Sequence, residues 1–390
     1  MSDYAQRSLE EHERHQGKLE ITSRFPLKTR DDLSIAYTPG VAAVSLAASE
    51  SLDAARKLTI KGRTVAIVSD GSAVLGLGNI GPYGALPVME GKALLFKEFA
   101  DIDGIPIVLG TQDPQEIVRV VRAIAPTFGG INLEDIAAPQ CFWIEDQLQD
   151  LGIPVFHDDQ HGTAIVLLAA LINSCRLTGR NIEDLTVVIN GGGAAGTAIA
   201  KLLRCVGQNK TACIPVRDVL VCDTKGIISR SRYDDLNDAK RSMLAYTNRH
   251  DRNGTLRDAM AGADVFIGVS AGGILTAEDM KIMAPQPMIF AMANPEPEIW
   301  PEEAIRGGAA VVGTGRSDLP NQVNNVLAFP GVFRGAFDAG VARITEPMKI
   351  AAAYALADCV ENLRPDFVIP DALDRTVAPK LAEAVRNAAS

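Results

Sequence analysis

The chain has 390 residues, 47% of them hydrophobic and 22% charged, with a formal net charge of −10. That length can bury the cores of two or three domains, and 34 Gly with 21 Pro is close to ordinary usage, which excludes collagen-like and disordered readings. The excess of acid argues against a partner gripped through phosphates, so no nucleic-acid partner is expected.

The opening run MSDYAQRSLEEHERHQGK has no apolar core and is not expected to act as a secretory signal. The longest apolar stretch, 164–172, is about half of what a bilayer span needs, so no membrane partner is expected. The six cysteines are scattered without a C-x-x-C pair, which points to reduced thiols in a soluble, cytoplasmic protein.

Residues 1–60 read as polar and then mixed, with a turn at Thr38-Pro39-Gly40. From residue 64 short apolar runs bounded by Gly, Pro or Asp predict buried strands at 64–69, 105–109, 130–136 and 153–156. Helical stretches lie between them, and such alternation means a parallel α/β sheet. A helix over 162–177 is apolar on nearly every face. A second series follows, with strands at 185–189, 219–222, 265–267, 288–291 and 309–313, a helix at 194–206, and a helical tail from 345 interrupted at Pro365 and Pro370. The expected fold is α/β throughout: an N-terminal α/β domain over 1–158 and a C-terminal Rossmann-type domain with extra helices over 159–390.

The segment 69–81 sets five glycines directly after a strand, which suggests a loop moulded around a small ligand. Helix then resumes through Lys92, whose apolar neighbours would desolvate its ammonium and lower its pKa toward base duty; a solvated surface lysine is the plainer alternative. Two strands end in adjacent carboxylates, Glu134-Asp135 and Asp158-Asp159. Parallel strands bring such ends together, and carboxylates at that density need a cation; oxygen ligation suits Mg²⁺ or Mn²⁺. Helix capping is the plainer role for each pair. His157 and His161 have neither a third soft ligand nor an H-E-x-x-H frame, which argues against zinc.

The run DLTVVINGGGAAGTAIAKLL is strand, tight turn and helix. Gly191, Gly193 and Gly196 form a G-x-G-x-x-G in which the first allows the turn, the second admits a pyrophosphate and the third permits close helix–strand packing. The N–H groups of Ala194 and Ala195 open the helix toward the phosphates. The next strand ends at Asp223, where a carboxylate accepts from a ribose hydroxyl and favours NAD. Asp223 comes 27 residues after Gly196, a longer spacing than the usual one, and Lys225 and Arg230 follow closely enough to meet the 2′-phosphate of NADP instead.

Taken in order, Tyr37-Thr38-Pro39-Gly40-Val41-Ala42, the GLGNIG loop at 76–81 with Lys92, 132–136, HDDQHGTA at 157–164, the glycine loop, Ala293-Asn294-Pro295 and Asn324-Asn325-Val326 resemble the small prokaryotic malic enzymes. These oxidatively decarboxylate (S)-malate to pyruvate and CO₂ with NAD(P)⁺ and a divalent metal. The resemblance implies that Tyr37 is the general acid that protonates the enolate of pyruvate and that Lys92 is the base for the malate hydroxyl. It implies Glu134, Asp135 and Asp159 as metal ligands with Asp158 beside them, and Asn294 and Asn325 as amides holding substrate carboxylate and nicotinamide. It also implies a homodimer or higher homo-oligomer, in a short form without a further acyltransferase-like domain. Where some larger relatives carry a carboxylate-binding arginine this chain has Ala73, which leaves Ser72 as a candidate donor. An oxaloacetate decarboxylase or malolactic enzyme would share the same groups; a non-catalytic nucleotide-binding regulator would have broken ones.

Overall fold

The computed structural model describes residues 3–207 and 213–389. Four helices come first: α1 (Asp3–His15), α2 (Arg30–Ala36), α3 (Val41–Glu50) and α4 (Leu52–Leu58). The sequence reading missed them because their apolar positions face outward. A capping box between Thr29 and Asp32 starts α2, and none of α2, α3 and α4 has a buried residue. Ile21 is 98% exposed and Leu46 71%.

A parallel sheet follows, built from β1 (Thr64–Ser69), α5 (Gly81–Ala100), β2 (Asp103–Val108), α6 (Pro114–Ile124), β3 (Gly130–Leu133), α7 (Gln140–Leu148) and β4 (Val155–His157). Its strand order is β2-β1-β3-β4. The register pairs Val68 with Leu133 and Leu133 with His157, so Glu134 and Asp158 leave the sheet side by side.

No loop separates β4 from α8 (Asp158–Thr178). The helix begins four residues before the expected start, because Asp158 and Asp159 occupy its first turn, where carboxylates are favoured. Every residue from Ala164 to Cys175 is buried, and the buried Asn173 amide donates to the carbonyls of Ala357 and Val368. By length and a mean hydropathy of 1.2 this helix matches a membrane span, but 72% of that stretch lies inside the protein.

The second sheet has the order β10-β9-β8-β5-β6-β7. It comprises β5 (Thr186–Asn190), α9 (Ala194–Leu203), β6 (Asp218–Asp223), the antiparallel β7 (Gly226–Ile227), α10 (Asp238–Met243), α11 (Leu256–Met260), β8 (Val265–Gly268), α12 (Ala277–Lys281), β9 (Met288–Ala291), α13 (Pro301–Arg306) and β10 (Val311–Thr314). The chain ends in α14 (Phe329–Ala339), α15 (Glu346–Ala357) and α16 (Val377–Asn387). With β5 between β6 and β8, the crevice for a ligand opens at the carboxyl end of β5.

Several expected bounds move. The strand expected at 105–109 begins at Asp103, and the one expected at 130–136 stops at Leu133, since Asp135 is left-handed (φ +54°). The helix of the glycine motif ends at Leu203 rather than 206, and the tail leaves helix at Asp358, before either proline. Cys205 and Cys213 form a disulfide, contrary to the expectation of thiols throughout: Cys205 is left-handed (φ +53°) just past α9, and the two Cα atoms lie 5.8 Å apart. Cys141, Cys175, Cys222 and Cys359 are free.

One hydrophobic core runs through both sheets. Its centre is aromatic: Phe96 of α5 meets Phe329 and Phe333 of α14 at 4.6 and 5.3 Å, and Phe333 meets Phe156 of β4 at 5.7 Å. The late helix α14 thus packs against the first sheet. Truncating Phe333 to Ala should cost about 3–5 kcal/mol, read as a lower urea midpoint, and Phe333→Leu should recover part of it; equal losses for the two would show that volume at this junction is not what matters.

Candidate active site

A cavity of about 660 Å³ opens where the carboxyl ends of the two sheets face each other. Lys92, Glu134, Asp135, Asp159, Ala195, Asn294 and Asn325 all line it. The glycine-rich loop 70–81 closes one wall. The Ala73 N–H donates to the Asp135 carbonyl at 3.0 Å, and Gly76 lies so close to Asn294 that a Cβ there would stand 2.2 Å from the Asn294 carbonyl oxygen. Only glycine lets the first half of the chain approach the second at this point.

Lys92 shares the inward stripe of α5 with Ala85, Met89 and Phe96, and its side chain is 7% exposed. The Nζ donates to Asp158 Oδ2 at 2.6 Å, lies 2.8 Å from Glu134 Oε1, and sits 4.3 Å from the centre of the Phe329 ring. Burial alone would lower its pKa, as the sequence suggested, but Asp158 and Glu134 outweigh burial and raise it. The expected lowering is therefore reversed, because the helix packs the ammonium directly onto two carboxylates.

One oxygen from each of Glu134, Asp135 and Asp159 lies within 4.8 Å of the others. The Asp135 N–H donates to Asp159 Oδ2 at 2.9 Å, and Asn132 Nδ2 donates to Glu134 Oε2 at 2.8 Å. Burial, then the neighbouring Asp159 charge, holds both Glu134 and Asp135 above the ordinary carboxylate range, Asp135 at about 8. Asp158 and Asp159 are raised by burial as well. Buried Asp135 Oδ2 and Asp158 Oδ1 have no hydrogen-bond partner. Crowded, mutually opposed oxygens with unused lone pairs fit a hard divalent cation. His157 lies buried beneath them, and His161 belongs to the first turn of α8 rather than a loop and turns away to Glu145.

The glycine loop follows β5. Gly191 is left-handed (φ +130°), and a Cβ on Gly196 would fall 1.8 Å from the Gly191 carbonyl oxygen, so helix and strand touch there. Gly193 faces open space, and Ala194 begins α9. Asp223 ends β6, where Arg232 Nη2 donates to both its oxygens (2.9 and 3.0 Å) and Lys240 Nζ to one (2.7 Å). Against burial, Lys240, the Lys225 N–H and Arg232 hold this carboxyl below its usual range. The cations the sequence singled out go elsewhere, Arg230 to Leu244 and Asp251, and the Lys225 ammonium to Asp235.

Of the residues expected to act on or hold the substrate, Ser72 and Tyr37 do not line the cavity. Ser72 Oγ donates to Asp70 Oδ1 at 2.6 Å and accepts from the Ala137 N–H at 2.8 Å, so the nearby Asp70 takes the proton meant for a substrate. Tyr37 caps the end of α2 and is 66% exposed. Glu298 had no signal in the sequence: fully buried, it accepts from the Ser270 and Ala293 N–H groups at 3.2 and 3.1 Å, tying the ends of β8 and β9 beside Asn294.

Residues 16–149 match the family described as malic enzyme, N-terminal domain, and residues 160–390 that described as malic enzyme, NAD binding domain. The chain is 54% identical to the bifunctional malic/malolactic enzyme of Bacillus subtilis, a match covering 98% of this chain and 92% of that protein. It is also 54% identical to the NAD-dependent malic enzyme of Geobacillus stearothermophilus, over 96% of this chain and 77% of that one. The crystal structure of the NAD-dependent malic enzyme of Thermotoga maritima is similar at a TM-score of 0.92 and 48% identity, covering 97% and 98% of the two chains.

The Lys92 contacts predict a pH-dependent defect. Lys92→Met leaves Asp158 and Glu134 buried without their cation, which lifts their folded-state pKa values further above the unfolded ones. Stability is then kept while they are protonated and lost as pH rises. The deficit against the parent protein, measured by denaturant unfolding, should approach about 3–5 kcal/mol at pH 8 and be smaller at pH 5; a deficit independent of pH would contradict the pairing.

Proposed function

Because the chain belongs to the malic enzyme family, we propose that it oxidises (S)-malate at C2 and releases CO₂ to leave pyruvate, passing the hydride to NAD⁺ or NADP⁺. The observation that carries this reading is the meeting of Lys92, three metal-competent carboxylates and Asn294 and Asn325 in one cavity. We take 1–158 as the substrate and metal domain and 159–390 as the NAD(P)-binding domain.

Glu134, Asp135 and Asp159 would hold Mg²⁺ or Mn²⁺, which when bound polarises the C2 oxygen and stabilises the enolate left by CO₂. Lys92 is the base for the C2 hydroxyl. The carboxylates that hold its proton are partly those that face the cation, so spending their charge on a metal relaxes that hold. Asn294 and Asn325 offer amide donors to the substrate carboxylate and the nicotinamide. Gly191, Gly193, Ala194, Ala195 and Gly196 receive the pyrophosphate at the start of α9. Asp223 accepts from the ribose and favours NAD⁺, with its position fixed by Arg232 and Lys240. A malolactic side reaction is the second reading, favoured by the high identity to a bifunctional relative.

We further infer a cytoplasmic enzyme, since its cofactor is a cell-interior metabolite, with neither membrane nor nucleic acid as partner. It works as a homodimer or higher homo-oligomer: the apolar, unburied faces around α2–α4 suit a second copy. Tyr37 lies on that surface, so its phenol would reach an enolate in a neighbouring copy's cavity.

Two experiments test this. Malate with Mn²⁺ and either nucleotide should give stoichiometric absorbance at 340 nm, with higher kcat/KM for NAD⁺, and Asp159→Asn should lower turnover at least about 100-fold and weaken Mn²⁺ while sparing NAD⁺ binding; undiminished Mn²⁺ affinity would remove Asp159 from the ligands. Co-expressing the inactive Tyr37→Phe and Lys92→Ala chains should restore about a quarter of the parental activity in a randomly mixed dimer, whereas mixed oligomers that stay dead would return Tyr37 to its own chain or to a structural role.

A further inference from the structure

The turn that carries Asp158 and Asp159 is gripped from behind. Glu145 sits on the buried stripe of α7 with Cys141, Ile144 and Leu148, where an apolar side chain would be ordinary. Its Oε1 accepts from the His157 N–H at 3.0 Å and from His161 Nε2 at 3.0 Å. Its Oε2 is 3.1 Å from the same Nε2 and accepts from Gln160 Nε2 at 3.3 Å. The three residues bracket the acidic pair, one before it and two after. His161 is fixed in turn, because Lys349 Nζ donates to its Nδ1 at 3.0 Å, which leaves Nε2 to carry the proton given to Glu145; Lys349 also reaches Glu346 at 2.6 Å.

We propose that Glu145 is a positioning residue for the metal site: it clamps the 157–161 turn from the side opposite the cavity and so fixes where Asp159 presents its oxygen. The hydrogen-bond partners of Glu145 are His157, Gln160 and His161 rather than Glu134, Asp135 or Asp159, and it lines a different cavity, of about 370 Å³. The need for a clamp follows from charge. Asp158 and Asp159 are adjacent, and an Asp159 oxygen lies within 4.8 Å of oxygens of Glu134 and Asp135, so like charges crowd the cavity side of the turn and oppose holding it there without a cation. A buried anion that collects donors from both ends of that turn holds it in place. Against burial, the hydrogen bond from His161 and the nearby Lys349 ammonium hold its carboxyl below the usual range, which keeps the clamp charged. Outer partners of this kind commonly tune metal affinity by 10–100-fold.

The inference rests on the metal reading above, and direct Mn²⁺ titration, followed by the electron paramagnetic resonance of the free ion, separates the two. Glu145→Gln keeps the shape but sets an amide donor against donors. It should raise the Mn²⁺ dissociation constant about tenfold, raise the Mn²⁺ concentration for half-maximal rate alike, and leave NAD⁺ affinity by nucleotide fluorescence within about twofold. Glu145→Asp, which keeps the charge but withdraws it by one methylene, should fall between parent and amide, and it carries the test if the amide variant does not fold. Asp146→Asn, on the exposed side of the same helix, should change neither affinity. Parental Mn²⁺ affinity in the Glu145 variants, an equal loss in Asp146→Asn, or a parallel loss of NAD⁺ affinity would each overturn the clamp. Absence of Mn²⁺ binding in the parent protein would overturn the metal reading and the clamp with it.

Discussion

The arrangement turns on one buried ammonium. Lys92 Nζ lies between Asp158 and Glu134, beneath Phe329 and out of water, in a place where neither the cation nor its partners could stand alone. Its charge compensates part of the acid gathered at the sheet edge and leaves Asp135 and Asp159 over, while the buried Asp135 Oδ2 and Asp158 Oδ1 have no hydrogen-bond partner. A site so arranged is incomplete in charge by design. Acids crowded in this way would be neutralised by a divalent cation, and the turn that carries two of them is tied to α7 through Glu145.

That holding is shared among distant parts of the chain. β3 and β4 pair in register up to Leu133 and His157, so the acids emerge together; α8 takes over at once and runs buried to Cys175, and α14 returns from residue 329 to roof the lysine. The core is continuous through both sheets because α8 packs against β4 of the first and β9 of the second, while α14 closes over the first. Gly76 against Asn294 repeats the theme at the mouth of the cavity, where the two halves approach to a distance no side chain permits. Such a shared core favours a fixed relation between the acids of the first sheet and the glycine loop of the second.

Much of this was legible in the residues. Strands β1, β9 and the start of α9 stand where apolar runs and the glycine triplet put them, since a buried parallel strand writes itself as an unbroken apolar run and a G-x-G-x-x-G turn admits few alternatives. The carboxylates were legible as pairs at strand ends. The helices α1–α4 were not, because their apolar residues face out of the chain and give no inward stripe to read. Nor was the bridge between Cys205 and Cys213, which depends on a left-handed residue after α9.

By itself, then, the sequence determined the class of fold, the glycine loop and the kinds of groups present at each strand end, because these depend on local pattern and on covalent neighbours. Tertiary structure decided the state of those groups. Lys92 is raised rather than lowered because α5 lays it on acids 42 and 66 residues away in sequence. Ser72 is spent on Asp70 and Ala137, and Asp223 is held by Arg232 and Lys240, two cations that the sequence reading did not single out. Glu145, an acid among apolar neighbours on α7, acquires a purpose only when β4 and α8 deliver three donors to it. Charge interactions fall off over a few ångströms, and which charges come that close is a property of the packed chain, not of its order.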